Sequence, residues 1–136
     1  MSEGSFRSWF ETYLAAFNAG DFPRFGAYYA DDVVFHGQAA QVTGREAVLD
    51  FYRVVRDYLE ETVEVLIFVG APDRRGLIAE LRTTLVAVRD WPEMPTGAMR
   101  KGDCRQSINF ISYRIADDRF TSIRTANYAR FNGRQP

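Results

Sequence analysis

Four side chains in this sequence have the chemistry to move a proton or to hold a charged oxygen. His36 is the single histidine. Imidazole, with a reference pKa near ~6.5, exchanges protons at neutral pH. His36 closes the short run Val33-Val34-Phe35-His36, which reads as a strand. Strict alternation points it outward, opposite Phe35, and a slip of one residue at the strand end turns it inward; the sequence leaves both open. Glu80 shares a strand face with Arg82 and Thr84, and reads as the one carboxylate on a strand face open to a pocket. Its other reading is a solvated residue paired with Arg82 or Arg124. Asn109 stands between Ile108 and Phe110, either lining a pocket or satisfied within a core. Tyr13 lies on an aromatic helix face, where a buried hydroxyl must find a partner. Cys104, with no histidine nearby, reads as an ordinary small residue.

The rest of the composition narrows the classes. A length of 136 residues fits a single domain, 1–136. With 46% hydrophobic and 26% charged residues, disorder is excluded. Seventeen basic and 18 acidic residues give a formal charge of -1, which argues against nucleic-acid and membrane-surface partners. One cysteine and one histidine exclude an intramolecular disulfide and the common multi-histidine metal sites. The N-terminus has no basic-then-apolar pattern, and no apolar run approaches ~18 residues, so the expectation is a soluble, cytoplasmic protein.

Elements follow from periodicity. Phe6, Trp9, Phe10, Tyr13, Leu14 and Phe17 recur at helical spacing. Ser5 is the expected N-cap, and Asn18-Ala19-Gly20 the stop. Asp21 caps a second short helix with Pro23 in its first turn. After the Val33–His36 strand, 37–42 reads as a loop. Thr43 and Glu46 fit a capping box for a third helix, whose apolar face is Val48, Phe51, Tyr52, Val55 and Leu59. Beyond Glu61 the period becomes two: Val63, Val65, Ile67 and Val69 alternate with Glu64, Leu66 and Phe68. A long strand over 77–91, a strand over 105–115, a tight hairpin at 116–119 and a last strand over 120–131 complete the chain. Helices first and strands later predict an α+β fold, with a curved antiparallel sheet on three N-terminal helices.

Several stretches resemble the nuclear transport factor 2-like superfamily, and within it the SnoaL-like and ketosteroid-isomerase-like enzymes. Tyr13-Leu14-Ala15-Ala16-Phe17-Asn18-Ala19-Gly20-Asp21 is similar to the end of the first helix in ketosteroid isomerases. Tyr29-Ala30-Asp31-Asp32-Val33 followed by Gly44-Arg45-Glu46-Ala47-Val48 is similar to the next stretch of the superfamily. Pro95-Thr96-Gly97 followed by Arg119-Phe120-Thr121-Ser122-Ile123 resembles a late pattern of SnoaL-like cyclases and limonene epoxide hydrolases. The resemblance implies a cone: a curved sheet wrapped around helices, an apolar pocket at the open end, and a homodimer. It implies that Tyr13 donates to a developing oxyanion, and that Asn109 stands where the isomerase keeps a protonated Asp. Gly37 occupies the position of the isomerase's base. The late-strand Asp of the epoxide hydrolases and cyclases is also missing, with Asn127 or Tyr128 near its place.

The expectation is therefore a cofactor-free, metal-free enzyme doing acid–base chemistry on an apolar cyclic or aromatic molecule: cyclisation, isomerisation, dehydration or lyase-type elimination. Tyr13 and Asn109 would hold oxygen charge, and His36 would be the acid–base, with Glu80 in reserve. Phe17, Tyr28, Phe35, Tyr52, Arg82, Ile111 and Asn127 would bind the substrate. A non-catalytic ligand-binding or assembly module with the same fold is the alternative.

Overall fold

A computed structural model describes residues 3–134. The order is α1 (Glu3–Asn18), α2 (Phe22–Gly26), β1 (Tyr29–His36), β2 (Gln41–Thr43), α3 (Arg45–Tyr58), β3 (Leu59–Gly70), β4 (Gly76–Ala87), β5 (Asp103–Ala116) and β6 (Arg119–Arg134).

The aromatic stripe makes α1 a core helix: Phe6, Phe10, Tyr13, Leu14 and Phe17 are all buried. Ser5 lies within the helix rather than capping it. The stop is where the glycine predicts it. Gly20 adopts φ +69, its N–H donates to Phe17 O, and the Asp21 N–H donates to Ala16 O, each at 3.0 Å. This is a Schellman motif, which needs a residue in the left-handed region. Asp21 then starts α2 by accepting from the Arg24 N–H at 3.3 Å. The capping box at Thr43 does not form. Thr43 pairs with Val34 in β2, and Gly44, at φ +100, takes the N-cap of α3 without a side-chain bond. The expected loop over 37–42 is thus shorter, because β2 occupies its second half.

One sheet runs β2-β1-β6-β5-β4-β3. Every pair is antiparallel except β1·β6, which is parallel. β4 ends at Ala87, short of the expected 91, and the chain returns to β5 through a loop closed by a Trp91–Met99 bridge. Two of the sheet's register shifts bear on which side chains face the helices near the centre of the sheet. The first falls between Val65 and Ile67 of β3; it reverses the alternation, so Phe68 is buried while Ile67 and Val69 are exposed. The second adds Tyr128 to β6 between the pairs Ile108–Ala129 and Asn109–Asn127.

The inner face consequently reads in cross-strand rows. Glu61, Leu85 and Arg105 form one row. Val63, Thr83, Ser107 and Arg130 form the next, and Val65, Leu81, Asn109 and Asn127 a third. Beyond them lie Ala79 with Ile111, then Leu77 with Tyr113. The helices pack against this face, and α1 is pinned there by Asn18. Its amide donates to Val63 O at 2.9 Å and accepts from the Val63 N–H at 2.8 Å.

Candidate functional site

Helices and sheet enclose a cavity of about 150 Å³, a size that holds a single aromatic ring. Its buried walls include Tyr13, Phe17, Leu81, Asn109 and Tyr113, while its exposed lining residues, Gln38 and Arg130, mark the mouth. Thr96 and Arg105, half-buried, stand beside them.

Tyr13 presents its ring from α1, and its hydroxyl lies 2.7 Å from that of the fully buried Tyr29. Burial raises the pKa of both phenols, but their contact acts oppositely on the two: it lowers that of Tyr13 and raises that of Tyr29. Either hydroxyl can donate in this pair; when Tyr29 donates, the Tyr13 proton is left for a partner in the cavity. Asn109, 5% exposed, is held at both ends of its amide. It accepts from Asn127 Nδ2 at 3.0 Å and donates to Ser107 Oγ at 3.1 Å. One N–H of Asn109 is left over from these two bonds.

The carboxylate of the site is Glu61. It lines the cavity from β3, opposite Leu85. Its surface is partly open because it faces that space, yet protein surrounds it at the longer range that sets solvation. Desolvation lifts its pKa from 4.5 to about 7, with the Arg56 guanidinium pulling the other way. Arg56 itself donates to Phe17 O at the end of α1 and stacks over the Phe17 ring, 5.4 Å from its centroid. The charge of Glu61 reaches Tyr13 and Tyr52, raising the pKa of each.

His36 and Glu80 fall elsewhere. His36 is exposed at the end of β1, and the cavity is lined by its neighbours Phe35 and Gly37. The outward parity prevails because Val33 and Phe35 are the buried members of the strand. Glu80 and Arg82 face away from the cavity, since Ala79, Leu81 and Thr83 supply the inner face of β4; Arg82 pairs there with Glu64. Phe17, Phe35, Tyr52 and Ile111 line the cavity. Tyr28 packs on Trp9, Tyr13 and Phe120 outside it. Asn127 reaches the site through Asn109. At Gly37 a Cβ would stand 2.6 Å from the Phe35 ring, so Phe35 fills the space an acidic side chain there would need.

Sequence reasoning missed Glu61, Arg105 and Arg130. The signal for Glu61 was present: it shares parity with Val63 and Val65. Among the described residues no group of His, Cys, Asp or Glu is arranged to hold a metal, and no helix is long and apolar enough to cross a membrane.

The profile of the SnoaL-like domain matches residues 10–123. The chain belongs to the SnoaL-like family. Solved structures with this fold include a proposed polyketide cyclase from Pseudomonas putida KT2440, at 20% identity, 89% of each chain covered and TM-score 0.76. An LEH-like epoxide hydrolase from Mycobacterium tuberculosis is 16% identical over 89% of this chain and 80% of that one, with TM-score 0.69. A computationally designed 17-OHP binder is 17% identical over 93% and 95%, with TM-score 0.72. No curated protein matches the sequence. These neighbours share the fold of this chain. The SnoaL-like cone accounts for the enclosed cavity: three helices fill one side of a curved sheet that does not close.

Proposed function

We propose that this SnoaL-like protein is a cofactor-free acid–base enzyme acting on a compact, ring-bearing apolar molecule, with Glu61 as the proton carrier. The observation that carries the reading is a carboxyl with a pKa of about 7 in the same cavity as Tyr13 and Asn109. A base tuned near the working pH is the most effective proton carrier. The Glu61 carboxylate takes a proton from carbon next to a carbonyl. The C–H electron pair moves to the carbonyl oxygen, where the Tyr13 hydroxyl and the Asn109 amide donate. Protonated Glu61 then returns the proton to the same or a neighbouring atom, or to a leaving hydroxyl. Isomerisation, cyclisation, dehydration and elimination all share this first step. Phe17, Phe35, Tyr52 and Ile111 hold the ring. A second copy of the chain is the proposed partner, through the outer face of the sheet, where Ile67, Ile78, Phe110 and Tyr128 are exposed.

Deuterium uptake by phenylacetone tests the chemistry without the natural substrate. The protein should exchange its benzylic protons, at a rate that rises with pH through about 7 as Glu61 ionises. Glu61→Gln should slow exchange about 100- to 10,000-fold, and Tyr13→Phe about 10- to 1000-fold. Binding of phenylacetone without exchange would favour the ligand-binding module, a role this fold supports in the designed 17-OHP binder. Full exchange by Glu61→Gln would exclude Glu61 as the base.

A further inference from the structure

The cavity mouth carries positive charge that the proton-transfer chemistry does not use. Arg105 and Arg130 both line it, from β5 and β6. Arg130 pairs across the strands with Ser107, and Arg105 lies two residues from Ser107 on the same face, so the two residues are diagonal neighbours. The extra residue at Tyr128 is what turns Arg130 inward. Thr125 and Asn127 hold the inner positions before the shift, and without it Ala129 would take the next one. Bulges commonly re-aim a side chain beside a site.

Burial lowers the pKa of Arg105, repulsion from Arg130 lowers it further, and Asp103 on the same strand offsets part of the effect. Arg130 takes part in none of the ion pairs among the described residues. Arg105 is fixed in place: its Nη1 donates to Thr96 Oγ1 at 3.0 Å and its Nη2 to Gly97 O at 3.3 Å. Glu61 occupies the same row as Arg105, but Leu85 separates them. Two neighbouring arginines at the mouth, one pre-set by loop contacts and one exposed, supply the charge and N–H donors that suit a carboxylate.

We propose that the mouth is an anion subsite, and that the substrates are ring compounds bearing a carboxylate, with the ring inside the cavity and the carboxylate on Arg105 and Arg130. The proposal rests on the cavity reading above and names the substrate class of that site.

Calorimetric titration with cinnamate and cinnamamide, at pH 6 and low salt, tests it. The pair shares shape and differs in charge, and Glu61 is mostly protonated at that pH. Cinnamate should bind about tenfold or more tightly than the amide. The preference should shrink as salt is raised. Arg130→Gln should bring the ratio of the two affinities close to one, and Arg130→Lys should keep part of it. Equal affinities in the wild-type protein, or an undiminished ratio in Arg130→Gln, would overturn the subsite and leave the apolar cavity reading standing. Failure of both probes to bind would overturn the two together. Exchange into phenylacetone, which has no anionic group, tests the acid–base reading separately.

Discussion

Glu61 ionises in surroundings that resist its charge, and that resistance links the site to the stability of the whole fold. Its pKa is about 7 in the folded chain against 4.5 for an ordinary glutamate. The folded state therefore binds the Glu61 proton more tightly than the unfolded state does. Its contribution is fully present below about 4.5 and is lost as pH rises through about 7, a change of at most about 3 kcal/mol. Water in the cavity reduces that figure. Glu61→Gln has no such ionisation, so its stability relative to wild type should rise between pH 5 and pH 8. Urea unfolding at the two pH values measures the difference; an unchanged difference would mean that Glu61 titrates as if in water. A residue that weakens the fold at neutral pH while facing a cavity fits a functional role better than a structural one.

At the scale of elements, the β1 end and its glycine explain why the base comes from another wall. Phe35 turns inward and occupies the space beside Gly37. Gly37→Asp, which supplies an acid at the isomerase position, should force the Phe35 ring from its place. Overpacking of this kind lowers stability by about 1–3 kcal/mol. A denaturant midpoint equal to wild type would show that Phe35 has room to move. The same elements show what the sequence made readable. The α1 stripe from Phe6 to Phe17, the Gly20 stop and the Asp21 cap are local signals, and each appears in the structure. Tyr13 and Asn109 came from resemblance, and both line the cavity. The register shifts in β3 and beside Asn109 had no such signal. Nothing in Val65-Leu66-Ile67 or Asn127-Tyr128-Ala129 marks an inserted residue, because each shift is set by the partner strand. Arg130 was therefore not legible. Glu61 lies two residues into β3, in the acidic run Glu60-Glu61, which resembles a solvated helix end.

At the scale of the molecule, the sheet has two faces of different character. The inner face meets the helices and the cavity. The outer face leaves Ile67, Ile78, Phe110 and Tyr128 at 53%, 55%, 42% and 67% exposure, with the Phe110 and Tyr128 rings 5.6 Å apart. Apolar side chains grouped this way fit the proposed association, since a second copy would offer the same surface in return. Sedimentation velocity at micromolar concentration should show a dimer, and Ile78→Glu should shift it to monomer. A wild-type protein that sediments only as a monomer would remove the second copy from the account.

A carbon-13 NMR titration of the Glu61 side chain reads the protonation of its carboxyl directly. Assignment follows from the signal lost in Glu61→Gln. The midpoint should fall at about pH 7 and move higher in Arg56→Met as the attraction of the guanidinium is removed. A midpoint near 4.5, the value of an ordinary glutamate, would contradict the role of Glu61 as proton carrier.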